Sequence, residues 1–351
     1  MTRSFSTSTA AAIAFIALGG RFGESRELTL RSTSERPTSL LFSEAGGVVQ
    51  RGPGGAVYFL STERRTVSIV APDGSVTRLA LADIPERELT SLMEDLAVDH
   101  AGRLFIPAIW RYAPKRGAAG VYVFNAQGIY ERTIEFATRT NVRHIAIDDS
   151  GAIFVLGVDP AYFRGIENNC FLIHKYTPDG KRVTAFSDCP VDLARGRQTA
   201  GPAWDELNLE VDRGQLWLSH NRLYQLLPSS HQIRIFDPVL GTAIGQVNLG
   251  TPAPSEIEAE GRLVWRIVQA PNGRYVAQWS LRQQPIRPEI MARRFVLGLH
   301  DAAGRNLSSA DAFQSGETIV PLFANADGSV TFAVGQARGS IRLTDALVTT
   351  Q

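Results

Sequence analysis

The 351-residue chain has little cysteine, almost no net charge and no long apolar run. Lys plus Arg total 36 against 35 Asp plus Glu, a formal charge of +1, so there is no electrostatic footprint for nucleic acid or anionic lipid. No stretch reaches the ~20 apolar residues that span a bilayer as a helix. The catalytic signatures GxSxG, HExxH and GxxxxGK[ST] are missing, as is a GxGxxG before a helix. Six histidines are scattered along the chain, each expected on the surface or satisfied in a core. Only Cys170 and Cys189 are present, without the CxxC spacing of a zinc site.

Glycine and proline are plentiful instead, at 31 and 18 residues, beside 44% hydrophobic residues. That mixture suits many short strands joined by tight turns. Six times an apolar-alternating run meets a Gly-containing turn and a second run rich in Phe, Val, Tyr or Trp. Examples are EDLAVDHAGRLFIPA from Glu94 and RHIAIDDSGAIFVLG from Arg143, with LNLEVDRGQLWLSH from Leu207 in the same frame. The aligned glycines 55, 102, 151, 214, 273 and 328 lie about 47, 49, 63, 59 and 55 residues apart, in the range of propeller blades. A second hairpin follows in most units, as in VSIVAPDGSVTRL from Val67 and FLIHKYTPDGKRVTAF from Phe171. Two hairpins per unit make a four-stranded blade.

The expected fold is therefore an all-β, six-bladed β-propeller with blades at about 44–81, 93–138, 141–190, 205–250, 262–311 and 317–351. The sixth unit is one strand short, which would leave an open edge. Residues 26–32, RELTLRS, are expected to supply the missing outer strand. Residues 85–96 are read as an inter-blade loop. Residues 1–19 carry a basic residue, an apolar core and small residues, the outline of an export signal before a single domain at 20–351. An oxidising location makes Cys170 and Cys189 a structural disulfide across one hairpin. A two-residue Asp179-Gly180 turn opposes them directly, whereas a three-residue Pro-Asp-Gly turn with a bulge shifts the register by one.

The LAVDHAGRLFI and IAIDDSGAIFV runs, with their PDG and NAQG turns, resemble the NHL-type and TolB-like six-bladed propellers of bacteria. The resemblance covers about Val48 to the C-terminus and implies fold rather than function, because this architecture hosts lactonases, lyases and inert scaffolds. In such a propeller the starts of the first strands surround one axial mouth. Here those positions are Glu94, Asp95, Asn141, Arg143, His144, Asp205, Glu206, Asn208 and Arg266. Oxygen-rich side chains of this kind suit calcium or magnesium, and the gluconolactonase group uses an axial Glu, Asn and Asp cluster to polarise a lactone. This chain lacks that group's local motifs, and Arg143 and Arg266 would compete with a cation. Of three insertions, at 110–119, 160–169 and 282–294, the first two carry Trp110, Tyr112, Tyr162 and Phe163, read as exposed loop aromatics. The favoured function is a non-enzymatic, monomeric binding or scaffold propeller, periplasmic or secreted and without a cofactor. Its partner is a protein or a small carbohydrate-like ligand. A metal-dependent lactonase is the alternative, and a sugar lyase a third class.

Overall fold

The computed structural model of the chain describes residues 26–41, 48–61, 65–81, 90–92, 95–110, 118–136, 140–159, 169–189, 202–252, 262–282, 293–314, 316–336 and 339–350. The export-signal segment lies outside them. The fold is an all-β six-bladed propeller, and each blade is an antiparallel sheet followed outward from the axis. Strand β1 (Arg26–Leu41) comes first in the chain. Blade 1 holds β2 (Val48–Arg51), β3 (Val57–Ser61), β4 (Thr66–Val70) and β5 (Val76–Ala80). Blade 2 holds β6 (Thr90–Leu92) and β7 (Ala97–Val98), both paired to β8 (Leu104–Trp110), then β9 (Ala119–Phe124) and β10 (Tyr130–Glu135). Blade 3 is β11 (Asn141–Ile147), β12 (Ile153–Val158), β13 (Phe171–Tyr176) and β14 (Arg182–Asp188).

Helix α1 (Pro202–Asp212) precedes blade 4, which is β15 (Gln215–Ser219), β16 (Arg222–Leu227), β17 (Gln232–Phe236) and β18 (Ala243–Asn248). Blade 5 is β19 (Arg262–Gln269), β20 (Tyr275–Arg282), β21 (Arg293–His300) and β22 (Asn306–Asp311). Blade 6 follows the short β23 (Phe313–Gln314) with β24 (Glu317–Ala324), β25 (Val330–Gly335) and β26 (Ser340–Thr350).

The turns follow from local chemistry. Asp99 and Asp148 each accept backbone N–H groups two and four residues ahead, and Gly102 and Gly151 close those turns at φ 77° and 81°. That left-handed geometry is cheap for glycine and strained for other residues.

Strand β1 completes blade 6. It pairs antiparallel with β26 from Leu28↔Thr350 to Leu41↔Ser340, while Arg26 and Glu27 run parallel to Ser308 and Ser309 of β22. The closing strand is thus longer than the RELTLRS segment. Six apolar clusters fill the six spaces between neighbouring blades. Leu28 lies in the cluster between blades 5 and 6, and Leu40 in that between blades 6 and 1. One strand therefore plugs both interfaces of the last blade.

Blade 4 departs from the sequence frame. Residues 207–211 are helical rather than the first strand, because Pro202 suits a first turn and Leu207 and Val211 recur at i, i+4 on a buried face. The true first hairpin turns at His220 and Asn221, with φ of 51° and 56°, and pairs Ser219 with Arg222. Two consecutive positive φ values are the signature of a type I′ hairpin. Gly214 instead ends the helix, where a Cβ would stand 2.4 Å from the Glu210 carbonyl oxygen. The 85–96 segment also holds more than a loop, since Thr90, Ser91 and Leu92 pair with Trp110, Ile109 and Ala108.

The disulfide joins Cys170 and Cys189 with Cα atoms 5.5 Å apart, and Cys189 N–H donates to the Cys170 carbonyl at 3.1 Å. The turn runs through Pro178, Asp179 and Gly180, and the register shift between Lys175 and Tyr176 restores direct opposition by Phe171↔Asp188. Each of the two turn readings thus contributes a part: the longer turn forms, and the bulge cancels its offset.

Candidate functional site

Three of the innermost strands carry a one-residue irregularity, at matching places in β11 and β19 and two residues nearer the turn in β24. In β11 it falls between Val142 and His144, in β19 between Val264 and Arg266, and in β24 between Pro321 and Phe323. A bulge of this kind re-aims side chains and releases a backbone group from the ladder. The released groups are caught by the preceding blade. Ile145 N–H donates to Asp95 Oδ2 at 2.6 Å, and Ile267 N–H donates to Gln215 Oε1 at 2.8 Å. Asp95 and Gln215 are staples between innermost strands.

The residues just before those amides are His144 and Arg266. His144 Nδ1 lies 3.5 Å from Asp95 Oδ2, and its Nε2 is buried without a hydrogen-bond partner. Arg266 sits deep among protein atoms although part of its surface stays accessible. Burial pulls its guanidinium down to about 10, and the Asp95 carboxylate pushes the other way. Asp95 thus lies beside His144, and its charge also reaches the buried Arg266 of blade 5.

Helix α1 adds a rim. Arg143 Nε stands 2.8 Å from Asp212 Oδ1 at the helix C-terminus. The next residue, Arg213, places its guanidinium 4.6 Å from the Trp265 ring centre, a cation–π contact. The helix end thus touches the bulge residues of blades 3 and 5 together.

The remaining site expectations divide as follows. Asn141 begins β11 and is half-buried, and Asn208 lies on α1 and is half-buried. Asp205 and Glu206 belong to α1 rather than to a first strand, because the helix occupies that part of the unit. Their side chains lie outside the described residues, as do Glu94, Tyr112, Tyr162 and Phe163 in full. Trp110 is a correction. It ends β8 fully buried, with its ring edge-on to Tyr122 at 5.9 Å, and Gly120 leaves room where a Cβ would meet it at 2.9 Å. Its apolar bulk goes into the space between blades 1 and 2 instead of the surface.

Sequence reasoning missed Asp212, Arg213 and Gln215. The available signal was the Pro-Ala-Trp-Asp-Glu opening, which reads as a helix start. Among the described residues no group of three or more His, Cys, Asp or Glu side chains is gathered for a metal. Calcium or magnesium at this mouth would need the side chains of Glu94, Asp205 and Glu206.

The chain matches no family model and no curated protein at the sequence level. Its fold is shared with solved structures. A member of the DUF4221 family from Bacteroides vulgatus aligns with a TM-score of 0.57 at 10% identity, over 93% of this chain and 100% of that one. A gluconolactonase from Xanthomonas campestris aligns at 0.47 and 14% identity, over 95% and 94% of the two chains. Virginiamycin B lyase from Staphylococcus aureus gives 0.45 and 13% identity, over 92% and 100%. At these identities the first likeness shows the fold alone, and the other two fall below the level that carries an argument.

Proposed function

We propose that this protein is a non-catalytic binding propeller of the NHL-type or TolB-like kind, working outside the cytoplasm. Its ligand is a small carbohydrate-like molecule or a protein segment, held at the axial mouth. The observation that supports this reading is the Asp95–His144 pair, 3.5 Å apart between blades 2 and 3, with the charge of Asp95 also reaching the buried Arg266 of blade 5. A guanidinium, an imidazole and a carboxylate together offer both donors and acceptors to hydroxyl or acidic groups in a concave setting. Glu94, Asn141, Asp205, Glu206 and Asn208 are proposed to extend the rim. Tyr112, Tyr162 and Phe163 are proposed to contact the ligand from the loops. The export segment at 1–19 and the disulfide fit an oxidising compartment.

A metal-dependent lactonase is less well supported, because the one described axial carboxylate is already engaged. Its Oδ2 accepts a backbone N–H and faces His144, and its charge is opposed by Arg266. The Arg266 guanidinium takes the role a cation would have.

The test is calorimetric titration with neutral sugars, sugar acids and calcium, beside a lactone hydrolysis assay. Wild-type protein is expected to bind a sugar or sugar acid, and Arg266→Gln to lose that heat while keeping its fold. A calcium response at about millimolar or tighter together with lactone turnover would overturn the reading in favour of the hydrolase.

A further inference from the structure

Every propeller blade ends in an outer strand whose far side has no ladder partner, and natural sheets protect such edges with charge, proline or cover. Five of the six outer strands here follow that rule. Arg78 protects β5, Glu131, Arg132 and Glu135 protect β10, and Arg182 and Asp188 protect β14. Asp311 stands on β22, which β1 also flanks in part, and β1 itself carries four charges and Pro37 within residues 27–37. The exception is β18, with the sequence AIGQVN. It has no ionisable residue and no proline, and five of its six residues are exposed. Among the described residues no strand pairs with its outer side, although the blade 5 turn at Gly304 packs against the Asn248 carbonyl at its far end.

The turn leading into β18 adds apolar surface to this bare edge. Val239 is 75% exposed and Leu240 69%, and on the strand itself Ile244 is 51% exposed. The turn is held in place rather than loose. Asp237 Oδ1 accepts the N–H groups of Val239 and Leu240, and Lys175 Nζ of blade 3 donates to the Pro238 carbonyl at 2.8 Å. Gly241, at φ 71°, lies against the Phe186 ring where a Cβ would come within 2.8 Å. The charges nearest the strand are turned elsewhere. Arg234 on β17 donates to Ser187 Oγ and to the Asp188 carbonyl of blade 3.

We propose that two copies of this chain associate about a two-fold axis by pairing β18 with β18, antiparallel and edge to edge. The argument for a second copy is charge. In an isologous contact each residue near the axis meets its own duplicate, so an ionisable residue there repels itself. Of the six outer strands only β18 avoids that conflict along its whole length. Its mid-strand Gln246 is self-complementary, because a carboxamide both donates and accepts. Gln246 also belongs to an amide series, donating to Asn248 Oδ1 at 3.1 Å beside Gln232 at 3.2 Å. A net charge of +1 leaves no long-range repulsion to keep the copies apart.

Sedimentation velocity on the full chain tests this, over about 1 to 200 μM protein. The mass is expected to climb from that of one 38.3 kDa chain toward two. Gln246→Lys and Gln246→Glu, each alone, are expected to remain at the single-chain mass, since like charges then face across the axis. Mixed in equal amounts, the two variants are expected to recover the dimer, which also shows that both are folded. Three results would each overturn the proposal: a wild type at single-chain mass throughout, a Lys variant that dimerises like wild type, or a mixture that stays monomeric.

Discussion

Asp345 is the side chain on which closure of the ring is predicted to depend most. It stands on β26 and gathers donors from three segments. Its Oδ2 accepts from Ser34 Oγ at 2.6 Å, and its Oδ1 accepts from Arg36 Nη2 at 3.0 Å. Thr331 Oγ1 and Asn325 Nδ2 also donate to Oδ1. Ser34 and Arg36 belong to β1, so the carboxylate clasps the N-terminal strand to the last blade. Hydrogen bonds to a charged group contribute about 1.5–3 kcal/mol each, less when shared and partly solvated. With Arg36 and Asp345 side chains 16% and 19% exposed, Asp345→Ala is expected to cost about 3 kcal/mol in all. Unfolding entropy of roughly 2 cal/mol/K per residue over 351 residues converts that into a fall of about 4 °C in Tm. Calorimetry measures the fall, and hydrogen exchange should show the loss of protection concentrated along residues 28–41. Arg305→Ala is the control, because Arg305 is 81% exposed in a pair with Asp301. A variant Tm within about 1 °C of wild type, or protection lost evenly over all blades, would refute the reasoning.

Other outcomes follow from the same contacts. Deleting residues up to Ser32 removes buried Leu28 and bares half of β26, so the truncated chain should aggregate and melt lower. A truncated protein that stays monodisperse with an unchanged melting temperature would count against β1 as the closing strand. Thiol titration of protein from an oxidising compartment should find no free thiol before reduction, and two reactive thiols in untreated protein would contradict the disulfide. His231 and His300 flank Trp279, with ring centres 4.9 and 5.9 Å away, and their Nε2–H groups donate to the Arg262 and Gly250 carbonyls. Burial lowers both imidazoles from 6.5, so the unfolded chain takes up protons first as pH falls. Stability should therefore be level above about pH 7 and decline from about pH 6.5 downward, by at most ~1.4 kcal/mol per unit for each histidine. A urea midpoint that stays flat between pH 7 and 5 would show that neither group is held neutral.

The repeat was legible because it rests on short-range chemistry. An Asp or Asn followed by a positive-φ glycine defines its turn locally, and strand alternation defines the flanks. Closure was legible by the count of strands in the last unit. The disulfide was legible because hairpin parity places two cysteines that flank one turn. Blade 4 was misread where local signals competed: Leu-Asn-Leu-Glu-Val alternates like a strand, but Leu207 and Val211 also share a helix face, and packing against blade 3 selected the helix. The axial staples and the Asp345 clasp were not legible. They join residues 50, 52 and 309 positions apart, and no local pattern announces such partners.

The two staples also separate what the fold needs from what the site offers. At equivalent places between neighbouring blades, one uses Asp95 and the other Gln215, and each catches the amide released by a bulge. A carboxamide oxygen suffices for that bond, so the negative charge of Asp95 exceeds the structural requirement. The residue after the bulge varies in the same way, with His144 and Arg266 occupying matching positions in blades 3 and 5. A shared backbone device thus presents two different chemistries, an imidazole and a guanidinium. Burying a guanidinium is costly unless an opposite charge offsets it, and Asp95 supplies one for Arg266. The carboxylate is therefore explained by the buried arginine of blade 5 and the neighbouring imidazole rather than by the blade contact alone.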